Sequence, residues 1–385
     1  MNQVSLTRSD RRPAARRGRP GGRIAVGAAL AVAGLLAAGC SSGGSAGPAA
    51  SDGPSQPAAS GASPAGHAIT VTDTAGRTVS VPANLTRIAV VGTTPVLNSM
   101  IFLFGEEKNL VNGNAKALSS LSPFDELFDP GFARLPTIQA SPSSVDTESV
   151  VALSPQLVVT NEKPLVAPLT AAGLTVVDVS WQNPTQLSKA VTLMGQVFND
   201  PAKASSYISY LNGTEATVRS DLKGIAPSAD PRVLSGDPAP LGEPAGSQIH
   251  WWASVVGADN VAEASDGGAA TTFSNEQVLQ WNPQFIFTQT PSDVAGFTKN
   301  SVYANVPAVR ANQVSATPGG FLSWGNSTPE DPLLLLWLAK RLHPAQTTGI
   351  ELNAAVKSFY QEFYGKELTD AQVADVLADK SVAGS

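Results

Sequence analysis

Residues 147–160 read TESVVALSPQLVVT, and residues 275–288 read NEQVLQWNPQFIFT. In each, a polar residue opens a helix of about one and a half turns, and an acid follows at once, Glu148 or Glu276. A proline stands seven residues after the acid (Pro155, Pro283), then glutamine, then a four-residue apolar strand ending in threonine. A helix dipole favours an acid in the first turn by about 0.3–1 kcal/mol, which accounts for one such carboxylate anywhere. It does not account for the same context twice. The chain is therefore expected to carry the same helix–strand element in the same place in each half.

Working outward, short β-branched strands alternate with helical segments. Strands are predicted at 87–91, 156–160 and 174–179 in the first half, and at 232–235, 284–288 and 313–316 in the second. Helices fall near 95–104, 147–153, 164–172 and 184–198, then 248–256, 275–280, 331–342, 350–364 and 370–377. Continuous apolar strands between helices indicate parallel sheets covered on both faces, hence an α/β fold. ITVTDTAGRTVSVP (69–82) reads as a β-hairpin ahead of the first sheet. Between the halves, 201–223 reads as one long helix, with Asp200 as cap, Pro201 at its first position and Gly224 after it. The predicted architecture is two Rossmann-like lobes with parallel sheets, 68–199 and 226–385, joined by a single helix at 200–225. A connector that stiff predicts small lobe motions.

The first 67 residues read differently. Residues 1–23 carry seven arginines and one acid, and 24–38 are wholly apolar or small. That run is too short for a span of about 20 residues but suits the core of an export signal. It ends at Gly39-Cys40, and Cys40 is the chain's single cysteine, so no internal disulfide can form. Ala37-Ala38-Gly39-Cys40 resembles the bacterial lipobox, departing from it at Ala37, where leucine is preferred. The resemblance implies a signal peptide at 1–39 and a lipid on Cys40, anchoring the protein at the outer face of the cell membrane. Residues 40–67, rich in Ser, Gly, Ala and Pro, cannot bury enough surface to fold and read as a flexible tether. Without residues 1–39 the 25 basic and 31 acidic side chains become 18 and 30, a net charge of −12. An acidic body without a basic run excludes nucleic acid as a partner.

Four segments together are specific: VTDTAGRTVSVPANLTRIAVV (71–91), DTESVVALSPQLVVT (146–160), SNEQVLQWNPQFIFT (274–288), and the closing pair VPAVRANQVSATPGG with STPEDPLLLLWLAKRLHP between 306 and 344. They resemble the substrate-binding lipoproteins of bacterial ABC importers for ferric siderophores, haem, cobalamin and related chelates, over about residues 68–380. The resemblance implies two lobes on one helix, a metal chelate held between them, and delivery to a permease and its ATPase, with the binding protein as a monomer. It also implies that Glu148 and Glu276 sit on the lobe tips and pair with permease arginines, a two-point electrostatic dock.

In such sheets ligands meet the loops beyond the strands' carboxyl ends. Those loops are predicted at 92–95, 161–163, 180–183, 236–252, 289–293 and 317–325. They offer Thr94, Asn161, Trp181, His250, Trp251 and Trp324 as candidate ligand contacts. Trp252 falls there too, and indoles can pack a macrocycle or a catechol. Trp281, Trp337 and His343 read as structural. Three scattered histidines do not build a site for a bare metal ion, so a ferric siderophore is the first expectation and no resident cofactor is implied. GTTP (92–95) and GGFLSWGNS (319–327), rich in small and hydroxyl residues, keep a molybdate-like oxyanion open as an alternative ligand, beside haem and a corrinoid. No GxSxG, HExxH, P-loop or GxGxxG occurs, so no enzyme is expected. The alternative of another class is a ligand-sensing surface lipoprotein without transport, which would not need both tip acids.

Overall fold

A computed structural model describes residues 68–226, 229–239, 241–242, 248–262 and 272–380. The signal, Cys40 and the tether lie outside these residues. The expected hairpin is present: β1 (Ile69–Thr72) pairs antiparallel with β2 (Thr78–Val81). The first sheet follows. Strand β3 (Ile88–Val91) is completely buried, and its neighbouring residues face two different apolar clusters. Ile88 and Val90 join the main core, whereas Ala89 and Val91 pack with Val150, Val158 and Leu169. Both faces are covered, as the unbroken apolar run requires.

After α1 (Thr94–Leu103) come the single turn α2 (Ser122–Asp125) and a small ladder, β4 (Gln139–Ser141) with β5 (Ser144–Val145). The first copy of the repeat is then α3 (Thr147–Ala152) and β6 (Leu157–Thr160). The half closes with α4 (Lys163–Ala171), β7 (Val176–Asp178) and α5 (Pro184–Val197). Its sheet has the order β3-β6-β7, all parallel.

Helix α6 (Pro201–Asp221) leads from this sheet to the second. Its 21 residues span about 30 Å. The Asp200 side chain accepts from Lys203 N–H at 2.9 Å, and Pro201 takes the first turn. Ala204, Tyr207, Leu211, Thr214 and Val218 form its buried stripe, the three- and four-residue spacing of one helix face. The Tyr207 hydroxyl donates to Pro329 O at 2.8 Å, tying the helix to the far half.

The second half runs β8 (Arg232–Ser235), the short pair β9 (Asp237–Pro238) and β10 (Leu241–Gly242), α7 (Ile249–Val256) and β11 (Asp259–Asn260). The second copy of the repeat is α8 (Asn275–Trp281) and β12 (Phe285–Thr288). Then come α9 (Pro291–Thr298), α10 (Pro307–Arg310), β13 (Val314–Ala316), α11 (Asp331–Leu342), α12 (Leu352–Tyr364) and α13 (Asp370–Leu377). Its sheet, β11-β8-β12-β13, is also fully parallel. The sequence pattern does not announce the two- and three-residue strands β4, β5, β9, β10 and β11 or the single turns α2 and α10, and α9 starts at Pro291 within a stretch read as loop.

The two copies of the repeat agree atom by atom. Gln156 Oε1 accepts from Arg87 N, and Gln284 Oε1 accepts from Arg232 N. The Arg87 guanidinium donates to the carbonyls of Leu153 and Ser154, and that of Arg232 to Asn282. Ser154 and Asn282 hold the same left-handed backbone, φ 47° and 50°. The strands then pair in the same register, Ile88 with Leu157 and Val233 with Phe285. Each motif is a folding unit whose arginine and glutamine lock a short helix to the strand before it.

The halves share one core. Phe321 of the second half is fully buried and meets Phe102, Phe124 and Phe128 of the first, with ring centroids 5.3, 5.0 and 5.0 Å apart. Tyr360 and Tyr364 complete this aromatic layer.

Candidate functional site: a cleft between the two halves

A cleft of about 430 Å³ opens where the strand ends of the first sheet face the 322–327 loop of the second half. From the first half it is lined by Thr74, Thr93, Asn161, Ser180 and Trp181, with Lys163 exposed on its wall. From the second it is lined by Leu322, Asn326 and Ser327.

Its first wall is built from the ends of three strands. Asn161, just past β6, accepts the Thr93 N–H with Oδ1 at 3.0 Å, joining two strand ends. Gly92 makes this possible. Its φ is +121°, and a Cβ there would stand 2.3 Å from that same Oδ1. The buried Gln139 brackets Gly92, accepting from its N–H at 3.1 Å and donating to its carbonyl at 2.7 Å. Past β7, the Ser180 hydroxyl donates to Asn161 O at 3.3 Å. Thr74, in the hairpin turn, receives the Ser180 N–H at 2.8 Å and donates its hydroxyl to the buried Asp178. The hairpin is thereby pinned to the sheet and supplies part of the wall.

The opposite wall rests on buried carboxyls. Glu330 accepts from the Tyr360 and Thr328 hydroxyls. Burial pushes its carboxyl up to about 7, against those bonds, the Phe321 backbone and the Trp324 indole, which pull it down. Asp331 is also raised, by burial first and then by Glu330, with the Thr328 N–H and Gln248 opposing. A Cβ on Gly320 would collide with Glu330 at 1.8 Å. These contacts fix the loop that carries Leu322, Asn326 and Ser327. Asn326 in turn accepts from Gln289 Nε2 at 3.3 Å.

Two polar atoms of cleft-lining residues have no protein partner among the described residues. Trp181 Nε1 on one side and Ser327 Oγ on the other are buried atoms without a hydrogen bond among the described residues. Buried polar atoms are nearly always paired, so these two leave hydrogen-bonding capacity unused on residues of both walls. An indole N–H can only donate.

Of the residues expected on the cleft, Asn161 and Trp181 are there. Thr94 is displaced by one: its side chain is fully buried and its hydroxyl accepts the Ala115 N–H at 3.0 Å, so Thr93 faces the cleft instead. Trp324 has no exposed surface and belongs to the core beside Glu330. His250 and Trp251 stand on α7 rather than on a cleft loop. Trp251 Nε1 donates to Glu215 of α6 at 3.3 Å, in a separate groove beside α5. Trp252 is buried against Phe287. Residues 240 and 243–247 of that expected loop lie outside the described residues. Thr74, Ser180, Asn326 and Ser327 were not singled out by sequence, because serine, threonine and asparagine carry no pattern that separates a cleft contact from a turn residue.

Glu148 and Glu276 are exposed, each in the first turn of its own copy of the repeat. Asp146 caps α3 through the Glu148 and Ser149 N–H groups, and Ser274 with Gln277 forms a capping box on α8. Neither glutamate is needed as the cap.

Comparison with known proteins gives this geometry its family. Residues 102–319 match the family model described as periplasmic binding protein. The chain belongs to that family. It is a substrate-binding protein of the kind that serves ABC importers, with a small molecule as ligand and a permease as partner on the extracytoplasmic side, and it is not an enzyme. A curated relative, the molybdate-binding protein MolA of Haemophilus influenzae, is 26% identical, covering 76% of this chain and 90% of its own. The structure of MolA bound to molybdate superposes with a TM-score of 0.70 at 22% identity, over 78% of this chain and 99% of that one. A periplasmic solute binding protein of Veillonella parvula gives 0.68 at 23% identity, over 82% and 98%. Ceue of Helicobacter pylori with Ni(II) bound gives 0.65 at 19%, over 80% and 99%.

Proposed function

We propose that the protein captures a small oxyanion of the molybdate type between its two halves and hands it to an ABC permease. The observation that carries this is a pair of cleft-lining residues, Trp181 from one half and Ser327 from the other, whose Nε1 and Oγ have no hydrogen-bond partner among the described residues. The lining also offers hydroxyls of Thr93 and Ser180, amides of Asn161 and Asn326 and the exposed Lys163 ammonium, beside apolar Val96 and Leu322 and the Asp178 carboxyl, which takes the Thr74 hydroxyl. An oxyanion presents only acceptors and is held by such neutral donors when they are fixed in advance. Three of the four loop tryptophans expected to form an aromatic wall are buried or face elsewhere, which favours the oxyanion over a catechol or a macrocycle.

A ferric siderophore is the second reading. The cleft volume of about 430 Å³ exceeds what one tetrahedral anion fills, and Trp181 with Leu322 offers an apolar wall. Calorimetric titration with molybdate, tungstate and a ferric catecholate separates the two. The oxyanion reading expects heat with molybdate and tungstate only. Heat with the ferric chelate and none with either oxyanion would reverse the order.

Delivery rests on Glu148 and Glu276 as docking acids, one on each half. Attachment rests on a lipid at Cys40, with residues 40–67 as the tether and the monomer as the working unit. Exchanging both glutamates for glutamine should abolish uptake while leaving molybdate affinity in solution unchanged. Uptake indifferent to that change would instead favour a surface sensor.

A further inference from the structure

Exposed large apolar side chains are rare here: among the described residues they are Val151, Leu279 and Val302, 42–43% exposed. Their positions are not scattered. Val151 follows Glu148 by three residues, and Leu279 follows Glu276 by three, at corresponding places in the two copies of the repeat. Residues three apart on a helix share a face. The intervening Val150 and Val278 are completely buried, so each helix turns its core side inward and its acid and second apolar residue outward. Nothing in the fold requires that outward residue to be apolar. The third, Val302, lies in the turn Ser301–Tyr303, and the Tyr303 hydroxyl donates to Asn275 Oδ1 at 2.6 Å, beside Glu276. Val151 and Leu279 therefore stand beside the two acids, and the turn that carries Val302 is tied to the start of the second helix. Neither glutamate has a cation partner among the described residues.

We infer that each tip is a two-part dock for the permease: Glu148 with Val151 on one half, Glu276 with Leu279 and Val302 on the other. The inference rests on the docking role proposed above for the two glutamates. The carboxylate calls for a basic side chain on the partner, and the apolar residue one turn along calls for a shallow apolar seat next to it. The acids then steer encounter and set its salt dependence, while the apolar residues, desolvated only on contact, set how slowly the complex comes apart. The sequence repetition is explained as one recognition element used twice.

The test uses the full chain and its permease–ATPase complex in lipid nanodiscs, with association and dissociation rates measured over a range of salt. Three proteins are compared: wild type, Glu148→Gln with Glu276→Gln, and Val151→Ser with Leu279→Ser. All the exchanged side chains are exposed, and unchanged thermal melting checks the fold. The apolar pair is expected to raise the dissociation rate about 10- to 100-fold with an unaltered salt slope, from burial of two side chains. The glutamine pair is expected to slow association and flatten the salt slope. If the glutamine pair weakens binding and the serine pair changes dissociation less than twofold, the two-part dock is wrong and the docking acids stand. If neither pair weakens binding, both fall.

Discussion

Replacing Asp125 by asparagine removes a proton-binding group from the core while keeping its shape. The carboxyl is completely buried, with Asn114 Nδ2 donating to it at 2.7 Å and Asn98 Nδ2 at 3.4 Å. Burial pushes its pKa from 3.8 up to about 8; the Asn114, Asn98 and backbone bonds pull it down, and Glu126 adds a further push upward. In the unfolded chain the same group ionises near pH 4, about its reference value. Between about pH 4 and 8, then, the folded protein holds a proton that the unfolded chain has lost. Stability contributed by Asp125 is complete below pH 4 and is lost as pH rises through 8, at about 1.4 kcal/mol per pH unit. Asp125→Asn should make the decline of unfolding free energy between pH 5 and 7 shallower by that amount. Urea unfolding followed by circular dichroism at several pH values, at fixed ionic strength, measures the slope. Parallel slopes for the two proteins would refute the burial argument. Asp125 ends α2 beside Phe124, which packs on Phe321 across the two halves, so its ionisation would act on the layer that holds the halves together.

Glu330→Gln should flatten the same slope up to about pH 7, since its carboxyl is raised to about 7 by burial; an unchanged slope would deny it a proton. Phe321→Ala empties the centre of the aromatic layer and should cost about 3–5 kcal/mol in the same unfolding assay, and a loss under about 1 kcal/mol would mean the layer is not packed. Gly92→Ala drives a Cβ into Asn161 Oδ1 from a left-handed φ. It should lower molybdate affinity in calorimetry by at least about tenfold, the effect of one lost hydrogen bond to a charged group, and unchanged affinity would remove Asn161 from the site. Cys40→Ala should release the protein from the membrane into the medium, read by fractionation; retention would contradict the lipid anchor.

The two copies of the repeat were legible because their signal is local: a cap, an acid, a proline and an apolar strand within 14 residues. The parallel sheets were legible because β3 and β6 are unbroken apolar runs, and the long helix because its apolar spacing is regular. The cleft was not. Thr94 and Thr93 are adjacent and identical, and only the hydrogen bond from Ala115 decides which one turns inward. Trp324 lies in a glycine-rich loop that reads as cleft, yet the buried Glu330 and the aromatic layer draw it into the core. His250 and Trp251 fall where the predicted helix at 248–256 overlaps the predicted loop at 236–252, and the helix carries them. Ser327 had no signal at all, and what singles it out is a buried hydroxyl without a hydrogen bond among the described residues.

Crystals of the protein grown with molybdate, measured at the molybdenum absorption edge, test the proposed capture most directly. One anomalous peak should lie between the two halves, within hydrogen-bond reach of Trp181 Nε1 and Ser327 Oγ. A peak elsewhere, or none under conditions where the ferric catecholate occupies the cleft, would contradict it.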